Sequence, residues 1–264
     1  MISEMGNGSF SFQLGTFACL AVSDGAITTA VGVLEIQCLF IRTGKNNVLI
    51  DTGCGAGTKS DAGKLLRNLR LEGIRPEEID TVINTHGHGD HIAGNADDEG
   101  RAVFSNARYV IQKREWDYWQ AEMALTQVEE GLHKKMIEQA RLNLSPLRAK
   151  YDLIEGETEI VPGIKCMLTP GHTPGHMVLA VSSGAERLLC TGDLIRDPLE
   201  LAQPGLYRAI DFNHQQAVQT RLQVLSDAAA ADNLVFACHF PFPGLGRFVR
   251  NGDELQWQPL QAAR

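Results

Sequence analysis

Thr85-His86-Gly87-His88-Gly89-Asp90-His91 is the most informative stretch of this 264-residue chain. Three histidines and an aspartate fall within six residues. Imidazole and carboxylate together suit zinc, iron, manganese or cobalt rather than calcium or magnesium. The two intervening glycines are expected to let the backbone turn tightly, so that several side chains converge. A His-rich surface loop or tag would lack what precedes the cluster. Thr81-Val82-Ile83-Asn84 is an apolar run of strand length that leads straight into it.

Working outward, four more positions close an apolar run or sit in a Gly/Pro turn. They are Asp51 (VLIDTG), His172 (TPGHTPGH), Asp193 (LLCTGD) and His239 (VFACH). Ligands drawn from distant sequence are best held at the strand ends of a rigid sheet. Taken singly, Asp51 and Asp193 also read as turn residues beside glycine, and His172 as a turn cap. Taken with residues 86–91, they read as one site. His133 and His214 lie in helical or pre-helical context and read as surface residues.

Around these positions the patterning predicts strands over 9–22, 33–42, 46–51, 81–84 and 107–111. Leu65, Leu66, Leu69 and Leu71 give a helical pattern over 61–72, ended by Gly73. Residues 113–150 read as two or more helices, and 151–190 return to strands. A helix follows over 214–231, then a strand over 234–238. A hairpin over 247–258 turns at Asn251-Gly252. There is no internal repeat, low-complexity segment or Ser/Gly-rich linker, so one domain over 1–264 is expected. This order of elements fits layered sheets with helices outside.

The chain carries a formal net charge of −8, with 44% hydrophobic and 21% charged residues. Without a basic patch, nucleic-acid binding is not expected. Six cysteines (19, 38, 54, 166, 190 and 238) form no CxxC pair. Cys38, Cys166, Cys190 and Cys238 sit among apolar neighbours in strand-like runs and read as buried free thiols, which suits a reducing cytoplasm. The beginning of the chain shows no signal-peptide pattern. No apolar run reaches the ~18 residues of a membrane span, so no membrane partner is expected.

Asp51, the HxHxDH segment at 86–91, His172, Asp193 and His239 together resemble the five ordered motifs of the metallo-β-lactamase-fold hydrolase superfamily. The resemblance runs over nearly the whole chain. It implies an α+β fold, a four-layer αββα sandwich, with a dinuclear metal site at one edge of the paired sheets. By that resemblance His86, His88 and His172 hold one metal, and Asp90, His91 and His239 hold the other. Asp193 bridges them, Asp51 orients a ligand histidine, and His176 supports the site by hydrogen bonding. Two divalent ions are implied, zinc foremost, with iron, manganese or cobalt also able to bind N/O donors. Asp90 and Asp193 are the implied catalytic carboxylates, acting on a water-derived nucleophile.

The segment His239-Phe240-Pro241-Phe242-Pro243-Gly244 resembles the methyl-parathion-hydrolase-like and lactonase-like subgroup. That subgroup carries a helical insertion between motifs two and three, here 113–150, read as a lid or pocket wall. Trp116, Trp119 and Phe242 are candidate pocket aromatics, with core packing an equal reading for each. Some positions depart from related patterns. Flavodiiron oxidoreductases have Glu where this chain has His88. Class B β-lactamases use Cys or His where it has Asp193. Acyl-homoserine-lactone lactonases place a Tyr shortly after the bridging aspartate. Here Leu194-Ile195-Arg196 follows, leaving that role empty unless Tyr207 reaches in, and Arg196 is a candidate contact for an anionic substrate. The expected function is hydrolysis of a small ester, lactone or organophosphate, with a homodimer plausible. The alternatives are an iron-dependent sulfur (persulfide) dioxygenase and a non-catalytic effector-binding protein.

Overall fold

Strand alternation sorts the apolar residues of this chain into separate layers. The computed structural model describes residues 4–5, 8–29, 32–56, 61–121, 131–252 and 254–260. The first sheet runs β1 (Glu4–Met5), β2 (Ser9–Leu14), β3 (Phe17–Thr29), β4 (Gly32–Arg42), β5 (Asn47–Ile50), β6 (Thr81–Ile83), β7 (Arg108–Gln112) and β8 (Tyr151–Ile154), in that spatial order. Neighbours from β1 to β5 are antiparallel; those from β5 to β8 are parallel. The single strand expected over 9–22 is instead a hairpin broken at Gly15 and Thr16. Gly15 has φ +58, and a Cβ there would lie 2.4 Å from the Ser183 carbonyl oxygen. Apolar flanks hid that turn from the sequence pattern.

The second sheet holds β9 (Thr158–Val161), β10 (Ile164–Leu168), β11 (Met177–Ser183), β12 (Glu186–Cys190), β13 (Leu234–Phe236), β14 (Leu245–Asn251) and β15 (Glu254–Pro259). Its one parallel pair among the described strands is β12 with β13. Successive side chains face opposite ways along a strand. Val48 and Ile50 of β5 therefore enter the core between the sheets, and Leu49 faces the helices. Met177, Leu179 and Val181 of β11 enter the same central core, while Val178 joins the outer layer.

Parallel neighbours need crossovers, and helices supply them. α1 (Leu65–Leu71) links β5 to β6, and the one-turn α2 (Gly89–Ile92) follows β6. α3 (Lys113–Gln120) and α4 (Leu132–Leu144) lie between β7 and β8. They correspond to the expected insertion, of which residues 122–130 lie outside the described residues. α5 (Leu199–Ala202) and α6 (His214–Ala230) connect β12 to β13. Asn213 caps α6 by accepting the Gln216 N–H at 3.0 Å. Leu65, Leu69, Trp116, Trp119, Ile137 and Leu144 cover one sheet, and Leu225 and Ala228 cover the other. The result is the four-layer αββα sandwich. No described helix is long and apolar enough to cross a membrane.

The carboxyl ends of β5, β6, β12 and β13 open at one edge, and all five sequence-marked segments except His172 follow one of them. Open α/β sheets bind ligands beyond strand carboxyl ends. Packing between the sheets should dominate stability. Leu179→Ala is expected to cost about 2–5 kcal/mol, and Leu222→Ala, half-exposed on α6, under about 0.5 kcal/mol. Denaturant midpoints at an unchanged m-value check both.

Candidate metal centre

The HxHxDH loop leaves β6 and re-enters helix at α2, with His88 as its N-cap. Its glycines serve a purpose the sequence did not show. A Cβ on Gly87 would lie 2.2 Å from Trp119 Nε1, and one on Gly89 would lie 2.3 Å from Gln139 Cδ. Neither glycine adopts positive φ. They are small because α3 and α4 press against the loop, not because the chain reverses there.

Asp51 closes β5 with φ +59, an uncommon conformation that aspartate tolerates better than most residues. Its Oδ1 accepts the Thr85 N–H and its Oδ2 the Thr85 hydroxyl, both at 2.8 Å. The same Oδ2 accepts from His91 Nδ1 at 2.8 Å. Thr85 has then spent its only hydroxyl proton, so His86 Nδ1 must donate to Thr85 Oγ1, 3.1 Å away. His172 Nδ1 donates to Asp211 Oδ1 at 2.9 Å, and His239 Nδ1 to the Glu35 carbonyl at 2.6 Å. These partners assign one tautomer to four histidines. Each keeps a proton on Nδ1 and turns Nε2 inward, where it can take a metal ion or a second proton.

Those nitrogens converge in two groups. His88 Nδ1 lies 3.0 Å from both His86 Nε2 and His172 Nε2. Asp193 Oδ2 stands 3.1 Å from His172 Nε2 and 3.9 Å from His86 Nε2. On the other side, His91 Nε2 and His239 Nε2 are 3.3 Å apart. Asp193 Oδ1 lies 3.0 and 2.9 Å from them. Asp193 thus gives one oxygen to each group. Lone pairs facing lone pairs around a buried carboxylate repel unless a cation stands between them. The donor set therefore fits metal ions, with His86, His88, His172 and Asp193 able to hold one and His91, His239 and Asp193 another. Asp90 Oδ2 approaches the second group at 3.7 Å from His91 and 3.6 Å from His239. Cys238 also lies there, but burial pushes its thiol up to about 11. Asp90 adds a carboxylate oxygen beside the same two imidazoles.

The electrostatics agree with a cation site. Burial pushes His86 and His88 well below the usual imidazole range. Burial also opposes charge on His91 and His172, but Asp193 outweighs it and holds both up. Burial works to raise Asp193, yet His239, His91, His172 and Arg196 hold it well below the usual carboxylate range. The carboxylate gathers positive charge, whether protons or metal.

His176 does not join either group. Its Nε2 accepts the Asp193 N–H at 3.0 Å, while Nδ1 faces Thr169, and burial lowers it to about 3. Arg196 Nε lies 3.0 Å from Asp193 Oδ2. The Trp119 ring stands edge-on to His88 with centroids 5.5 Å apart. Trp116 packs instead in the layer between α3 and the first sheet, its ring 5.0 Å from Tyr151. Phe242 is half-buried against the core between the sheets. Trp116 follows the core-packing reading, while Phe242 packs one face against the core and keeps part of its ring exposed. Tyr207 is exposed and faces the His214 ring.

Sequence reasoning missed Asp211 and Glu115. Glu115 is fully buried in α3, where burial raises its carboxyl. It accepts the backbone N–H of Gly87 at 2.9 Å and of Gly175 at 2.7 Å, and Trp119 Nε1 at 2.6 Å. One carboxylate thereby ties together the loops that carry His86, His88 and His172. A Cβ on Gly175 would lie 2.3 Å from the Glu115 nitrogen. Nothing in a charged residue on an amphipathic helix marked this role.

Two outcomes are expected. Metal must displace the protons that Asp193 holds on His91 and His172, so acid favours the proton and base the metal. Zinc affinity should rise by about tenfold per pH unit for each proton displaced, read by competition with a chromophoric chelator. Glu115→Gln would turn an amide donor toward a backbone N–H. A loss of about 1–3 kcal/mol is expected by denaturant titration; unchanged stability would refute the tie.

A family model described as the metallo-beta-lactamase superfamily matches residues 31–239. An N-acyl homoserine lactonase of a Bacillus species is 27% identical over 169 residues, covering 57% of this chain. The match spans 59% of that relative's length, short of two thirds. Among solved structures, AidC, a dizinc quorum-quenching lactonase in complex with a product, N-hexanoyl-L-homoserine, is 26% identical with a TM-score of 0.89. It matches over 100% of this chain and 99% of its own. A hydrolase of the beta-lactamase superfamily, AbOPH, is 25% identical with a TM-score of 0.89, over 98% of this chain and 99% of its own. The family match covers most of the length and includes the convergent strand-end donors, and by it the chain belongs to the metallo-β-lactamase superfamily.

Proposed function

We propose that this protein is a dinuclear metal-dependent hydrolase that opens a small lactone or cleaves a related small ester. The observation that carries the reading is Asp193, which divides its two oxygens between two groups of inward-facing imidazoles. A dioxygenase that needs a single iron held by three ligands would leave the second group without a role. The relatives named as lactonases favour a lactone over a phosphotriester.

Two divalent cations, zinc foremost, held by His86, His88, His172, Asp193, His91, His239 and Asp90 would lower the pKa of a bound water toward neutrality. The chain's own groups handle the rest. Asp51 and Asp211 hold His91 and His172 in the tautomer that presents Nε2. His176 fixes the backbone of Asp193. Asp90 is the most exposed of the clustered carboxylates, so it faces incoming water and can accept a proton and pass it to the leaving oxygen. Trp119, Tyr118 and Phe212 form a row beside His88, with ring centroids 4.8 and 5.1 Å apart. Phe212 is half-exposed. The row suits an apolar acyl or alkyl portion of the substrate.

The test is a panel of lactones, esters and phosphotriesters offered to the zinc-loaded protein. Chelator-sensitive hydrolysis, fastest on lactones, is expected. Asp90→Asn should lower kcat by about a hundredfold or more. No hydrolysis of any panel member after metal loading would refute the reading.

A further inference from the structure

Charge accounting around the metal centre leaves one cation without a dedicated partner. Arg196 follows the turn that carries Asp193, and its backbone is fixed: the Arg196 N–H donates to Glu200 Oε2 at 2.7 Å. Glu200 is fully buried and is already matched by Arg208 at 2.7 Å and Arg221 at 3.7 Å. Arg221 also spends donors on the carbonyls of Leu194 and Pro204. Arg196 has no such set. Among the described residues its one ion-pair partner is Asp193, 3.0 Å away, and its Nε makes no hydrogen bond of good geometry. Asp193 is itself divided among His172, His91 and His239.

If cations occupy the two histidine groups, Asp193 serves them as well, and the guanidinium must share its one ion-pair partner with them. Its side chain is 17% exposed, so it is largely desolvated, and its Nε reaches the cluster at Asp193. A desolvated guanidinium with unspent donors is costly unless an acceptor arrives. Its planar fork matches two carboxylate oxygens.

We propose that Arg196 is a catalytic anion-binding residue that receives the negative oxygens formed on the acyl carbon of the substrate. The inference rests on the hydrolase reading. In ester or lactone hydrolysis the water oxygen bonds to the acyl carbon and the bond to the leaving oxygen breaks. One water proton goes to that leaving oxygen and the other to solvent, so the acyl group departs as a carboxylate. Negative charge therefore builds on the acyl oxygens beside Asp193 and stays there in the product. Arg196 gains an anionic acceptor during the reaction, where the intact ester offers only a neutral carbonyl oxygen. A group that binds charge only as it develops raises kcat rather than merely lowering KM.

The experiment compares zinc-loaded wild type, Arg196→Met and Arg196→Lys for binding hexanoate and hexanamide by calorimetry, with metal content measured on each. Arg196→Met is expected to weaken hexanoate about ten- to a hundredfold, to leave hexanamide unchanged and to keep the metal content of the wild type. Arg196→Lys should recover part of the loss. Equal loss of acid and amide, an unchanged hexanoate affinity, or a fall in metal content without selective loss of the acid would each overturn the proposal. Hydrolysis of the substrate panel by the wild type judges the functional reading separately. The acid-to-amide ratio judges Arg196 whether or not the right ester has been found.

Discussion

One buried carboxylate organises this molecule. Asp193 lies at the junction of two histidine groups, with an oxygen committed to each. Moving a carboxylate out of water costs several kcal/mol unless opposite charge surrounds it. Here the opposing charge comes from imidazolium protons, from Arg196 and, on the proposed reading, from metal. Every support in the neighbourhood keeps that arrangement from collapsing into ordinary hydrogen bonds. Asp51, Asp211, the Glu35 carbonyl and Thr85 each hold a proton on the far nitrogen of a histidine.

These supports come from widely separated elements, which explains the architecture. Asp51 and the HxHxDH loop follow parallel neighbours β5 and β6 of one sheet. Asp193 and His239 follow parallel neighbours β12 and β13 of the other. Packing the two sheets face to face brings four strand ends to one edge. The positive φ at Asp51, of order 1–3 kcal/mol of strain for a non-glycine residue, survives because four hydrogen bonds hold its position. The helical insertion belongs to the same design. Its first helix sends Glu115 inward to tie two ligand loops, and its Trp119 begins the aromatic row beside His88. In its described part, α3 acts as a buttress with one face toward the site, whereas a lid would stand off from the loops it covers.

Much of this was legible in residue order. The HxHxDH cluster after an apolar strand, and aspartates or histidines closing other apolar runs, marked the convergent residues before any coordinates. Strand and helix periods marked the layers, including α6 and the hairpin at Asn251-Gly252. The turn at Gly15 was not legible, because apolar residues continue on both sides, and the positive φ and the contact with Ser183 that call for glycine arise only in the fold. Gly87 and Gly89 were legible as important but for the wrong reason: helices from 26 or more residues later press on them. Trp116 and Trp119 looked alike, and both are buried in the layer over the first sheet, but Trp119 also meets the His88 ring whereas Trp116 meets Tyr151.

The sequence by itself determined which chemical groups are available, and that they sit where strands end. Donor type and hydrophobic period are local properties, written in residue identity and spacing. Only the tertiary structure decided which nitrogen of each histidine faces inward, that His172 rather than His176 meets the cluster, and that Glu115 and Asp211 stand behind the clustered histidines and their loops. It also decided that Arg196 alone among the neighbouring arginines is left facing the site. Those facts depend on distances between residues far apart in the chain, and such distances are set by how two sheets and their helices pack.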